Sequence, residues 1–298
     1  MALTNNRKSS PVKQKKVVKS YEEQIEDAKN KNKHLLRDTT CKYNLDLFKQ
    51  DRFKFNEYIE YDDKHHTYTH TLLKKRYTSV TTLIGKYAHK FESDKFKAKS
   101  TMDKFGMTYE EVLKYWDNIR DQSTNRGSAI HYSLDKMLNN NEIIESIVKN
   151  YAIDDEIIYY LEYMSKIFDR YKECKIHAEE ILYSHKHQIA GQADLVIEGK
   201  DFIEIHDYKT NDKELKYEGY NNQMMKSPIK EQPSGDLGKY ELQLNIYALF
   251  AEQIYKKPVT KLVVHHLRFV DNQPCCKEIE LKINQEIITK LLNHYVNE

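Results

Sequence analysis

Residues 188–210, Gln188-Ile189-Ala190-Gly191-Gln192-Ala193-Asp194-Leu195-Val196-Ile197-Glu198-Gly199-Lys200-Asp201-Phe202-Ile203-Glu204-Ile205-His206-Asp207-Tyr208-Lys209-Thr210, hold the groups best placed to do chemistry. Two apolar, β-branched runs flank the polar turn Glu198-Gly199-Lys200-Asp201, which is a β-hairpin signature. Strand alternation then puts Ile203, Ile205, Asp207 and Lys209 on one face. Asp194 stands on the partner strand between apolar neighbours. Ionisable groups in a buried strand are costly unless something compensates them, and a divalent cation would. Asp194 and Asp207, with the main-chain carbonyl of Tyr208, offer hard oxygen ligands suited to Mg²⁺ or Mn²⁺. The Lys209 ammonium beside them could orient or deprotonate a water and offset charge on a phosphoryl transition state.

Spacing alone does not make a site. Asp-x-Lys recurs at Asp62-Asp63-Lys64, in a hydrophilic stretch with no apolar strand before it. Three further features bear on the hairpin. Upstream, Arg126-Gly127-Ser128-Ala129-Ile130-His131 sets Gly127 and His131 one helical turn apart. A glycine inside a helix costs up to about 1 kcal/mol against alanine, so Gly127 points to a close backbone approach. Downstream, Gln243 and Tyr247 occupy neighbouring turns of a helix whose buried stripe is Leu244, Tyr247, Ala248 and Ala251. Glu179-Glu180 opens a strand ending Ile181-Leu182-Tyr183. Read singly, each has a plain structural explanation: a packed helix-flank histidine, simple packing, solvated edge charges.

In order, Gly127-x-x-x-His131, Glu179, Gly191-x-x-Asp194, Asp207-x-Lys209-Thr210 and Gln243-x-x-x-Tyr247 resemble the RecB-like branch of the PD-(D/E)XK nuclease superfamily, which includes phage-type exonucleases. The resemblance covers roughly residues 60–270, and Tyr77-Thr78-Ser79-Val80-Thr81 and the Trp116 helix also look like the phage-encoded members. It implies that His131, Asp194, Asp207 and the Tyr208 carbonyl ligate Mg²⁺ or Mn²⁺. Lys209 would then act on the attacking water and scissile phosphate, with Glu179 as the strand glutamate. Arg126, Gly127, Thr210, Gln243 and Tyr247 would support the site or contact DNA. Asp207 stands where many members carry Glu. Only Cys275 and Cys276 follow the Gln-Tyr helix, which departs from the spacing of iron–sulfur members, so no cluster is expected. No phosphate-binding G-x-x-x-x-G-K-[ST] loop is present, so a helicase motor would be a separate protein.

The expected activity is that of a metal-dependent deoxyribonuclease, an exonuclease in phage-type recombination, replication or DNA processing. A single-strand annealing protein or a helicase is an expected partner. The alternatives are an endonuclease, or a catalytically silent DNA-binding protein that kept the fold.

The elements that must position these residues follow from periodicity. Residues 57–85 read as a small hairpin rich in Tyr, Thr and Val leading into a helix. Thr108 and Glu111 form a capping box that opens the Trp116 helix, and a second helix is expected from Ser123 or Thr124 with Ile130, Leu134, Met137 and Leu138 inward. A third spans 151–172, with Ile157, Leu161, Met164, Ile167 and Phe168 inward. Then come strand 177–184, the hairpin, a breaker-rich mobile loop 211–237, helix 238–255, strands 259–269 and 276–282, and a last helix capped by Asn284. This order predicts an α/β domain with a central mixed sheet flanked by helices; with the resemblance, it becomes a restriction-endonuclease-like core at 106–298. An N-terminal helical and hairpin extension at 21–105 and a basic disordered arm at 1–20 precede it. The arm carries Arg7, Lys8, Lys13, Lys15, Lys16 and Lys19 before the first acid, Glu22, and reads equally as a solubilising tail or a DNA-tracking one.

Composition bounds the rest. The 298 residues are 39% hydrophobic and 32% charged, with net charge +2. There is no apolar run long enough to span a membrane and no secretory h-region, and the four cysteines follow no disulfide or zinc spacing. The expected compartment is a reducing cytoplasm, that of the host if the gene is phage-borne.

Overall fold

Nine strands and eight α-helices are described in a computed structural model covering residues 21–36, 43, 54–55, 58–62, 65–89, 95–271 and 273–298. The basic arm at 1–20 lies outside the described residues. The described residues of 1–39 and 92–119 form one compact unit, and those of 40–91 and 120–298 a second.

In the first unit, α1 (Tyr21–Asn32) is tied to α3 (Lys95–Phe105) by Asn32 Nδ2 donating to the Lys104 carbonyl at 2.6 Å. The capping box forms as its spacing requires: the Glu111 N–H donates to Thr108 Oγ1 at 3.2 Å, and the Thr108 N–H to Glu111 Oε2 at 2.7 Å. It opens α4, which runs unbroken from Tyr109 to Asn139. The expected fresh start at Ser123 or Thr124 is therefore corrected. No proline or glycine interrupts residues 109–126, and mid-helix Ser and Thr lower helix propensity without breaking the hydrogen-bond ladder.

In the second unit, β1 (Lys54–Phe55), β2 (Ile59–Asp62), β3 (Thr67–His70) and β4 (Arg76–Ser79) form an antiparallel meander. Ser79 Oγ accepts the Thr82 N–H at 3.0 Å and caps α2 (Val80–Tyr87). β4 pairs in parallel with β6 (Ile189–Glu198), so the early hairpin is built into the same sheet as the strands of the candidate site. β5 (Lys175–Ser184), β6 and β7 (Ile203–Lys209) make the expected antiparallel meander. β8 (Val259–Val270) lies parallel to β7, and β9 (Gln273–Leu281) antiparallel to β8. The result is a mixed α/β sheet covered by helices on both faces.

On one face Ile203, Ile205, Leu262 and Val264 pack against α7 (Asp236–Tyr255) and α8 (Gln285–Asn297). Helix α7 is buried nearly all round, as a helix in the middle of a layer must be. On the other face Leu195, Ile197, Tyr208 and Leu267 meet Ile130 and Leu134 of α4 and the inward stripe of α6 (Asp155–Arg170). The helix expected from 151 starts at Asp155, where Asp154 Oδ1 accepts the Ile157 N–H, and the short α5 (Ile144–Tyr151) precedes it. Segment 211–237 is packed down, contrary to a loose loop: Leu215, Met225 and Ile229 enter the core beside α7, and the Lys226 N–H donates to the Tyr87 carbonyl at 2.7 Å. Among the described residues no helix is long and apolar enough to cross a membrane.

One buried amide ties α7 to the C-terminal helix. Asn245 Nδ2 donates to the Glu241 and Lys282 carbonyls, both at 2.8 Å, and Oδ1 accepts the Asn284 N–H at 2.7 Å. Asn284 in turn caps α8. Asn245→Leu should cost about 1–3 kcal/mol in urea unfolding, because it strips partners from backbone groups that stay covered; a loss under about 0.5 kcal/mol would show that water replaces them.

Candidate metal centre

Strand β6 is where the sheet forks. β5 runs along one edge of β6 for its whole length, so β4 and β7 must share the other edge. β4 takes Ile189 and Ala190, and β7 takes Leu195 to Glu198. Residues 191–194 are left between them with no strand partner on that edge among the described residues. The Asp194 side chain fills part of the gap: its Oδ2 accepts the Tyr208 N–H at 2.7 Å, a donor that the ladder with β6 leaves open.

On the β5 edge the register is kept but the ladder is interrupted at this level. Ala178 pairs with Leu195 and Glu180 with Ala193, so Glu179 and Asp194 are skipped together. Glu179 has φ 54°, in the left-handed region, which a non-glycine residue holds only when its surroundings impose it. Gln192 Nε2 donates to the Glu179 carbonyl at 3.0 Å and helps fix that conformation.

The irregularity turns the Glu179 carboxylate toward α4. His131 Nδ1 lies 3.4 Å from Glu179 Oε1 and 3.4 Å from Asp194 Oδ1. One ligand atom each from His131, Glu179 and Asp194 falls within 4.8 Å of the others, so this buried cluster could hold a metal ion. The Tyr208 ring meets His131 edge-on at 5.6 Å and walls the group off from the core.

Asp207, an expected ligand, lies outside this trio, near enough for the charges of Asp194 and His131 to act on it, and is 2% exposed. Its Oδ1 is buried with no hydrogen-bond donor among the described residues. Its countercharge is Lys209, whose Nζ is 2.5 Å from Oδ2 and lies over the Tyr240 ring. A buried carboxylate with unused lone pairs is a poor resting arrangement and a good cation ligand. Carboxylates plus one imidazole are a donor set that could hold a metal ion.

Protonation follows the same geometry. Burial and the neighbouring Asp194 carboxylate push Asp207 up to about 7, although Lys209 opposes the shift. Burial would raise Asp194 too, but His131, Lys209 and the Tyr208 N–H together hold it down at about 2. Burial alone would lower His131, yet Asp194 and Glu179 outweigh it and take the imidazole up to about 10. The Lys209 ammonium is likewise held charged, with burial outweighed by Asp207 and Asp194.

The remaining candidate residues surround this centre. A Cβ at Gly127 would stand 3.3 Å from Thr210 Oγ1, so the glycine lets α4 approach the end of β7. Arg126 is turned inward, with its side chain only 11% exposed. It donates to the Thr210 carbonyl at 3.0 Å, pairs with Asp212 at 3.0 Å, and also pairs with Glu156. In this arrangement it fixes the chain just after Lys209. Gln243 Nε2 donates to Tyr247 Oη at 3.3 Å. A Cβ at Gly191 would lie 2.6 Å from Tyr247 Cε1, so only glycine lets that ring rest on β6. Two elements had no sequence signal: the left-handed Glu179, and a buried chain behind Tyr208 in which His206 Nδ1 meets His265 Nε2 at 2.9 Å.

No protein-family model matches the sequence, and no curated protein matches it. Among solved structures, SSO0001 is 14% identical with a TM-score of 0.34, over 76% of this chain and 78% of that one. A putative exonuclease from Eubacterium rectale is 12% identical with a TM-score of 0.34, over 74% of this chain and 77% of that one. Superpositions this loose carry no argument about fold or chemistry. The fold and the centre define the class on their own terms: a mixed α/β protein with a buried acid–histidine cluster able to hold a metal.

The raised His131 has a signed consequence for chelator-treated protein. Its charge adds stability that is fully present below about pH 6.5 and is lost as pH rises toward about 10. His131→Asn should therefore show a flatter melting temperature than wild type across that window. An equally steep decline in the variant would mean that the imidazole is not paired with the two carboxylates.

Proposed function

We propose that this chain is a metal-dependent deoxyribonuclease of the PD-(D/E)XK type, acting as an exonuclease in DNA recombination, replication or processing. The observation that carries the reading is Asp207, a buried carboxylate whose Oδ1 has no donor among the described residues, set beside Asp194 and paired with Lys209 through Oδ2. A purely structural ion pair gains nothing from an unsatisfied oxygen. A hydrolytic centre uses it.

His131, Asp194, Asp207 and the Tyr208 carbonyl would hold Mg²⁺ or Mn²⁺, and the Glu179 carboxylate, which is grouped with His131 and Asp194, is a further ligand or an orienting base. Bound there, such a cation supplies Lewis-acid polarisation of a phosphoryl oxygen and makes water acidic enough to attack near neutral pH. The protein contributes position and charge. The Lys209 ammonium, held charged by Asp207 and Asp194, faces the place where negative charge grows on the phosphorus oxygens. Attack by water forms one P–O bond as the ester P–O bond breaks, and the leaving oxygen takes up a proton. Arg126 and Thr210 keep the end of β7 in place against α4 through the Thr210 carbonyl contact. Gln243 and Tyr247 line the approach from α7. DNA is the partner this implies, with a single-strand annealing protein or a helicase supplying or receiving the strand inside a cytoplasm.

The test is cleavage of end-labelled linear single and double strands and of closed circles in Mg²⁺ or Mn²⁺. Lys209→Ala should lower the rate by about 100-fold or more, as loss of one aligned transition-state group does elsewhere. Equal rates in wild type and variant, or no cleavage of any substrate, would overturn the assignment. Nicking of closed circles would keep the nuclease and replace exonuclease with endonuclease action.

A further inference from the structure

The fork in the sheet has a second occupant besides the acidic cluster. Beside Gly191 and Gln192 lies a cavity of about 240 Å³, reached from the early hairpin, from the start of α2 and from α7. Its aromatic walls are Tyr61, Tyr68 and Tyr247; the first two are stacked with ring centroids 4.8 Å apart and planes at 26°. Its polar rim is made of Ser79 and Thr81 hydroxyls and the Gln192 and Gln243 amides. Among the described residues no carboxylate, lysine or arginine lines it.

We infer that this cavity receives one unstacked nucleobase of a single DNA strand whose backbone lies at the acidic centre. Three observations favour a base over other ligands. The described lining is neutral apart from His66, so it offers no countercharge for a phosphate and no ligand set for a cation. The volume lies below the roughly 300–1,000 Å³ of pockets that bury whole drug-sized ligands, which suits one flat heterocycle. Aromatic walls with amides and hydroxyls at the rim match how proteins hold splayed bases: a face for stacking and donors and acceptors for an edge.

Placement links the cavity to the chemistry. Gly191 and Gln192 line it, and Asp194 of the same strand belongs to the metal cluster only about 10 Å further along. Gln192 also braces Glu179, so one side chain touches both sites. A base seated here would draw its nucleotide out of the stack and fix the position of the neighbouring phosphate. The inference deepens the nuclease reading and rests on it for the identity of the strand.

The two ideas are separable by experiment. Single strands carrying one 2-aminopurine at either end or in the middle are titrated with the whole protein in EDTA, where nothing is cleaved. Quenching at one position is expected, as the fluorescent base stacks. Thr81 is exposed and sits at the mouth, so Thr81→Phe should fill the opening, abolish the quench and weaken binding about 5- to 100-fold. Thr81→Ala, which removes a rim hydroxyl but leaves the opening clear, should keep the quench and weaken binding less than Thr81→Phe does, and Thr81→Leu serves if Thr81→Phe melts early. Binding without quench at any position, or a quench unaffected by the filling variants, would overturn the base cavity. Cleavage in Mn²⁺ by the same wild-type preparation decides the other reading: cleavage without quench leaves the nuclease and removes the cavity, and a Thr81-sensitive quench without cleavage does the reverse.

Discussion

The hydrogen bond from the Tyr208 N–H to Asp194 Oδ2 marks the point on which the rest of the site depends. A sheet that stayed fully laddered here would satisfy that amide with a backbone carbonyl and would leave no room for side chains. The side chain takes the amide instead, and β7 can leave β6 after His206 while remaining paired with β8 through Lys209. Both aspartates then stand at the crotch of the fork. The same opening separates β4 from β7 on the edge of β6 and creates the aromatic cavity. One backbone irregularity thus supplies both a place for a cation and a place for a base.

Charge explains why the arrangement is not self-sufficient. Of three buried carboxylates, Glu179 and Asp194 flank one imidazole and Asp207 pairs with one ammonium. His131 and Lys209 are held protonated by them, while Asp207 is driven toward its neutral form by burial and by Asp194. A divalent cation would offset the excess acid and let His131 give up its proton and act as a ligand. Tyr208 and the buried His206–His265 pair behind it give the pocket a rigid back wall.

Much of this was legible in the chain because it rests on short periods. Alternation along 203–209 placed Asp207 and Lys209 beyond the buried Ile203 and Ile205, and one helical turn put Gly127 and His131 together on α4. Glycine inside that helix signalled the approach that Thr210 makes. What escaped depends on partners distant in sequence. Nothing in Thr78-Ser79 announces a parallel pairing with Ile189-Ala190, so the early strands read as an extension when they belong to the same sheet as β6. The left-handed Glu179 carries a residue type that gives no hint of positive φ. Arg126 is expected from the chain to support the site or contact DNA, but the partners that turn it inward, Glu156, Tyr160 and Asp212, come together only in three dimensions. Segment 211–237 reads as loose from its prolines and glycines, but Leu215, Met225 and Ile229 give it an apolar footing.

The central claim is that the fork between β4 and β7 is a cation site, and diffraction tests it most directly. Crystals soaked in Mn²⁺ and measured at the manganese absorption edge should show one strong anomalous peak bounded by His131, Asp194, Asp207 and the Tyr208 carbonyl, absent from an Asp194→Asn crystal. A wild-type map with no peak there, or a peak that survives the substitution unchanged, would contradict the account.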